Sequence, residues 1–287
     1  MYLGIDFSGG AGPWKPRCRK PTVWIAAVED GTTPRLIDVR PVQNLTGDGT
    51  PFARLVALLR SGNFLAAGID APFAIPARHF PAGGHRELLN LVNQIEPAAD
   101  RPFVSGAALV EFAAGIAVLD QKKPYRETEK LWIERGVNTR STLWNGPRGG
   151  AAFTAACLTL LARSERPVWP WTSGPGMLVE AFPAAQLRFW GLPHKGYGKP
   201  EQDGVRAQIL VGLAKHINIS ETHRISLMES PDALDSVIAS FAAMAAVRSP
   251  TLAQYPADGL IAVMNAEDLS RVGEKAATQS PVSTHSA

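Results

Sequence analysis

The sequence predicts a mixed α/β fold, and three observations carry that prediction. Three short β-type runs separated by turns and loops lie between Tyr2 and Val42. A helix-spaced segment from Phe52 to Arg60 then precedes a fourth apolar run, which ends at Asp70. Because a helix intervenes, that fourth strand can return parallel to the first, a connection that argues against an all-helical chain or a sandwich. The bulk numbers agree: 287 residues, 45% hydrophobic and 19% charged, with a mean hydropathy of -0.03. Such a composition belongs to a globular protein and excludes disordered, collagenous and coiled-coil chains.

Each element has its own signal. Tyr2-Leu-Gly-Ile-Asp6 is apolar and closed by an acid and the Ser8-Gly9-Gly10 turn. After a loop carrying Lys15, Arg17, Arg19 and Lys20, residues 22–28 are β-branched and aromatic and stop at Asp30-Gly31. Residues 35–42 alternate polar and apolar side chains, as a half-exposed strand does, so the three runs read as an antiparallel meander. Phe52, Leu55, Val56 and Leu59 fall at i, i+3, i+4 and i+7, and Gly62 ends that helix. Residues 64–70 form the fourth strand.

The region 77–176 is predicted as an inserted helical and loop region. It has helices over 85–95, 106–119 and 151–162, with polar-aromatic loops at 125–129 and 138–144. Met177-Leu-Val-Glu180-Ala-Phe-Pro183 reads as a fifth strand halted by its proline. Residues 207–216 are helical, and Ser230-Pro231 caps and opens the strongest helix, which runs to Ala246. Residues 258–263 are expected as a last edge strand and 271–287 as a disordered tail. The core would then comprise 1–76 and 177–265.

No window reaches the ~18 consecutive apolar residues of a membrane span. The opening Met1-Tyr-Leu-Gly-Ile-Asp6 has neither the basic nor the apolar region of a signal peptide. The two cysteines, Cys18 and Cys157, form no metal-binding pair, and a reducing, cytoplasmic setting is expected. A formal charge of +3 and a pI near 8.9 permit nucleic acid without demanding it. The densest basic run is the loop holding Lys15, Arg17, Arg19 and Lys20, read either as solvated or as contacting phosphate.

The acids are more informative. Asp6 and Asp70 end strands, Glu180 sits inside one, and Asp232 and Asp235 lie on the first turn of a helix. An acid within an apolar strand is costly to bury unless paired or bound to a cation. In the order 1-2-3-helix-4, Asp6 and Asp70 emerge side by side, and gathered carboxylates raise one another's pKa unless a cation compensates. Oxygen ligands of that kind suit Mg²⁺ or Mn²⁺, one ion or two, and so the activation of water against a phosphodiester.

At these residues the sequence resembles a known family. Gly4-Ile-Asp6-Phe-Ser8, Gly68-Ile-Asp70-Ala-Pro72, Val179-Glu180-Ala-Phe-Pro183, Lys199 with Asp203-Gly204-Val-Arg206, and Asp232-Ala-Leu-Asp235 are similar, over residues 2–264, to the DUF429 family. The resemblance implies a ribonuclease H-like mixed sheet, a divalent-metal carboxylate site and nuclease-like hydrolysis.

Asp6, Asp70, Glu180 and Asp235 are therefore the expected catalytic metal ligands, with Asp232 either a fifth ligand or a helix cap. Glu180 has the competing role of ion-pairing with Lys199 or Arg206. Ser8, Lys199 and Arg206 are candidates for substrate phosphate; Ser8 could equally cap its turn, and Arg206 could equally be a solvated helix residue. His79, His85 and His194 are isolated and read as surface or satisfied histidines. Trp14, Trp132, Trp144, Trp169 and Trp171 could stack bases, although packing is the commoner use. Expected partners are RNA, DNA or a hybrid, and no membrane. Two other readings stay open: an actin-like ATP-dependent phosphotransferase, whose fold also begins with a strand, an Asp and a Gly/Ser turn, and a non-catalytic scaffold or nucleic-acid-binding module.

Overall fold

The first three strands form the expected antiparallel meander in the computed structural model, which describes residues 1–199, 201–248 and 255–265. Central β1 (Tyr2–Asp6) pairs antiparallel with β2 (Trp24–Glu29), which pairs antiparallel with edge strand β3 (Arg35–Pro41). On its other side β1 runs parallel to β4 (Ala66–Asp70), and β4 parallel to β5 (Met177–Ala181), giving the order β3-β2-β1-β4-β5. Helix α1 (Pro51–Ser61) makes the crossover from β3 to β4. Thr50 accepts the Ala53 N–H at its start, Pro51 sits where a missing N–H costs nothing, and Gly62 closes it at φ 65°. This mixed sheet with flanking helices is consistent with a ribonuclease H-like fold.

Alternation along the strands sends Leu3, Ile5 and Ile69 to one face and Gly4, Asp6, Gly68 and Asp70 to the other. The first face is covered by α1, α2 (Gly84–Gln94), α3 (Gly106–Ile116) and α5 (Ala151–Ser164). There Phe52, Leu55, Leu88, Val92, Leu109 and Leu158 share one core with Leu3 and Ile5. Region 77–176 is thus packed into the same core as the sheet. The second face is covered by α9 (Pro231–Arg248), surrounded by α6 (Pro183–Phe189), α7 (Asp203–Leu213) and α8 (Glu221–Glu229).

Helix α9 lies directly against the sheet. A Cβ on Gly4 would fall 2.0 Å from the Ser236 carbonyl oxygen, and one on Gly68 would fall 1.9 Å from that of Ala239. Only glycine lets the helix backbone rest on the strands at these points. Each glycine precedes its acid by two residues on the same face, so the close approach also brings the start of α9 to Asp6 and Asp70.

Several local expectations change. Residues 125–129 are not a solvent loop: they enter α4 (Glu127–Glu134), and the Glu129 carboxylate accepts the Arg126 N–H to cap it. Pro183 does more than halt β5, because it is also the first residue of α6. Residues 258–263 carry no strand. Gly259 turns at φ 90°, Ile261 N–H goes to the Thr128 hydroxyl and Ala262 N–H to the Glu180 carbonyl, so no ladder forms. Helix α8, capped by Ser220, has no counterpart among the predicted elements. The stretch 271–287 lies outside the described residues. Among those described, no helix is long and apolar enough to cross a membrane.

Candidate metal centre

The parallel register places Asp6 directly opposite Asp70 at the carboxyl ends of β1 and β4. Helix α9 begins beside them, capped by the Ser230 hydroxyl on Ala233 N–H, and its spacing of three puts Asp232 and Asp235 on one side. One carboxylate oxygen from each of Asp6, Asp70 and Asp235 lies within 4.8 Å of the others. Asp232 completes the group through a hydrogen bond to Asp6, and the Tyr197 hydroxyl donates to Asp235 Oδ1 at 2.7 Å.

This clustering is electrostatically unfavourable as it stands. Burial, then the charges of Asp235, Asp70 and Asp232, push the Asp6 carboxyl well above the usual range. Burial carries Asp70 up to about 7, with the Arg140 charge drawing it back and that of Glu180 adding to the rise. Asp235 is raised by burial and by Asp70, against the pull of the Tyr197 hydrogen bond. Among the described residues no Lys or Arg lies within ion-pair distance of the three.

Glu180 is near this group but not part of it. It pairs in register with Ile69, one position short of Asp70, so its side chain leaves the opposite face of the sheet. There it is forked by the fully buried Arg126: Nη1 donates to Oε2 at 2.8 Å and Nη2 to Oε1 at 2.5 Å, while Phe73 N–H donates to Oε2 at 3.0 Å. Arg126 Nε also donates to Glu129 Oε1 at 3.0 Å. Burial works against the guanidinium charge, and Glu180 and Glu129 overcome it. Glu180 thus has the buried ion pair foreseen as its alternative role, with Arg126 in place of Lys199 or Arg206.

A cavity of about 670 Å³ opens over the carboxylates. Asp6, Asp70 and Asp232 line it, together with Ser8, Arg140 and the amino end of α5 at Ala152 and Phe153. Ser8 both lines the cavity and accepts the Gly10 N–H in its turn. Lys199 and Arg206 do not reach this cavity. Lys199 is exposed, and Arg206 is buried, holding the carbonyls of Tyr197, Lys199 and Met228 and the Asp203 carboxylate. Its post is to fasten α7 to the Tyr197 loop and to α8. The cations lining the cavity are instead Arg101, Arg126 and Arg140, of which Arg140 acts on Asp70.

The histidines are mostly engaged away from the carboxylates. His85 stacks on Trp171 at 3.5 Å and bonds the Phe73 carbonyl, and burial lowers its pKa to about 4. His79 bonds the Ala113 carbonyl, while the His194 Nε2 is buried without a hydrogen-bond partner. Trp14, Trp132 and Trp169 are buried in packing, whereas Trp144 is only half-buried. Three participants have no sequence signal of their own: Arg126, Arg140 and Tyr197. Arg126 stands 54 positions from its partner, and only Val179-Glu180, a strand acid in need of a cation, hints that such a residue must exist.

The chain matches a family model described as "Protein of unknown function (DUF429)" over residues 4–259. No curated protein and no solved structure gives a significant match. The matched span takes in β1 from Gly4 onward, β2 to β5, the three clustered aspartates and Arg126, and the chain therefore belongs to the DUF429 family.

Proposed function

We propose that this chain is a divalent-metal-dependent phosphodiester hydrolase in which Asp6, Asp70 and Asp235 hold the metal. The observation carrying the reading is the meeting of three carboxylates from β1, β4 and α9 within 4.8 Å, with no side-chain cation paired to them among the described residues. Mutual repulsion in a buried place is relieved by a hard cation, and an all-oxygen donor set suits Mg²⁺ or Mn²⁺, one ion or two. When bound, such an ion supplies charge neutralisation and Lewis acidity for displacement at phosphorus.

The chain's own groups divide the remaining work. Tyr197 fixes Asp235 through a hydrogen bond to Oδ1. Asp232 steadies Asp6 by hydrogen bonding. Arg140 places a positive charge at the cavity wall, where a phosphate oxygen is received as a charge-assisted acceptor. Glu180, held by Arg126, supports the sheet edge beside the site.

Calorimetric titration tests the reading. Mn²⁺ should bind the wild type and not Asp6→Asn. Mn²⁺-dependent cleavage of RNA, DNA, hybrid or bis(p-nitrophenyl) phosphate should disappear with the same substitution. Absence of metal binding, or cleavage indifferent to Asp6→Asn, would overturn it. Absence of metal at the acids would favour the scaffold reading, and stabilisation by ATP would revive the phosphotransferase.

A further inference from the structure

We infer that the substrate is single-stranded nucleic acid, led from the carboxylates past Arg140 and Arg148 to a base-stacking seat at Trp144; this rests on the hydrolase reading above. A second cavity, about 370 Å³, is lined by Trp144, Lys122, Leu119, Val110 and Asn145. The loop 144–150 contributes to both cavities: Trp144, Asn145 and Gly146 line this one, and Gly149 lines the one over the aspartates. Ala151 N–H donates to the Trp144 carbonyl at 3.2 Å, and a Cβ on Gly149, which lines the first cavity, would fall 1.8 Å from that same oxygen.

The chemistry along this path is that of a strand-binding groove, in which cations follow the backbone and an aromatic ring takes a base. Lys122 Nζ lies over the Trp144 ring, 5.1 Å from its centroid, and Lys123 Nζ 6.0 Å from it; both lysines are exposed, and an incoming base takes their place on the ring while they follow its phosphate. Trp144 is half-buried, its Nε1 donating to the Pro147 carbonyl, and a Cβ on Gly146 would fall 2.1 Å from the indole. The ring is therefore held in place rather than free to swing. Arg148 is exposed and adopts φ 58°, a left-handed conformation uncommon for a non-glycine residue, and among the described residues neither it nor Arg140 has a side-chain hydrogen bond or ion pair. The neighbouring acid Asp120 is already paired with Arg78.

Two features select against a duplex. Asp6, Asp70 and Asp232 line a cavity whose volume fits one small ligand, with Asp6 only 8% exposed. The seat at Trp144 requires a base whose face is available, and in a duplex the base faces are stacked on one another.

Fluorescence anisotropy with a labelled ten-nucleotide strand, in Ca²⁺ to load the site, tests the inference directly. The single strand should bind at least tenfold more tightly than the same sequence in duplex or hybrid form. Trp144→Ala should weaken single-strand binding about tenfold, with Mn²⁺ affinity retained as evidence of an intact fold. The surface pair Lys122→Ala/Lys123→Ala should weaken it several-fold while leaving Trp144 itself in place. Equal affinity for duplex, or single-strand affinity unaffected by both variants, overturns the inference while leaving Mn²⁺-dependent cleavage of bis(p-nitrophenyl) phosphate intact. Loss of that cleavage in the wild type overturns the hydrolase reading instead, and single-strand binding then stands or falls by its own measurement.

Discussion

Asp70 shows at the level of one residue how a cluster of buried carboxylates destabilises the protein that carries it. Its carboxyl titrates near 7 in the folded chain, against 3.8 when unperturbed. Between those values the folded state binds more protons than the unfolded one, so stability falls as pH rises through the window of about 4 to 7. Asp70→Asn removes the charge and keeps the shape. In EDTA at pH 8 the variant should melt above the wild type, the difference should shrink toward pH 5, and added Mn²⁺ should raise Tm only in the wild type; scanning calorimetry at three pH values reads all of this. An Asp70→Asn protein that melts below the wild type at pH 8 would refute the account. Asp6 and Asp70 were legible in the sequence because a strand end and an acid suffice to locate them. Arg206 is turned inward, which was not legible because a cation three residues from Asp203 looks the same in sequence whether it faces a ligand or fastens a helix to its neighbours. Glu180 announced its need for positive charge, but not whether a metal or Arg126 would meet it.

At the scale of elements, the site is an intersection of two strands and a helix, and its precision depends on how closely they approach. Gly4 and Gly68 are the contact points, each beneath a carbonyl of α9. Gly68→Ala would place a methyl group 1.9 Å from the Ala239 oxygen. It should cost about 3 kcal/mol or more and, by lifting α9, carry Asp235 away from Asp70. Denaturant unfolding and Mn²⁺ titration should therefore worsen together. Gly115→Ala is the control: that glycine lies exposed in α3 with nothing within 4 Å of a new Cβ, and the substitution should stabilise by up to about 1 kcal/mol. The strands and longer helices were readable from periodicity and caps. Helices α4, α6 and α8 have 8, 7 and 9 residues, too few turns for periodicity to separate them from loops. Tertiary contacts, such as the ion pairs of Arg126, hold the first of them in place.

For the whole molecule, a formal charge of +3 conceals an uneven distribution. Carboxylates line the cavity, while Arg140, Arg148, Lys122 and Lys123 stand along the path from it. If each of those four takes one phosphate, the logarithm of single-strand affinity should fall against the logarithm of salt concentration with a slope of about −3. Equilibrium anisotropy from 50 to 300 mM salt measures it, and a flat dependence would dismiss the path as an electrostatic footprint. The sheet order and the meeting of Asp6 with Asp70 could be read from a linear chain because both follow from strand succession. The cavity could not, since its walls come from segments far apart in sequence. The buried fork of Arg126 on Glu180 has a final consequence, for modularity. Excising residues 77–176 to reach a minimal sheet would leave a carboxylate stranded in the interior, remove Arg140 from the cavity wall and strip the core over β1. Shortened forms of this protein must then alter Glu180 in the same step, so that the acid and its distant arginine are gained or lost as a pair.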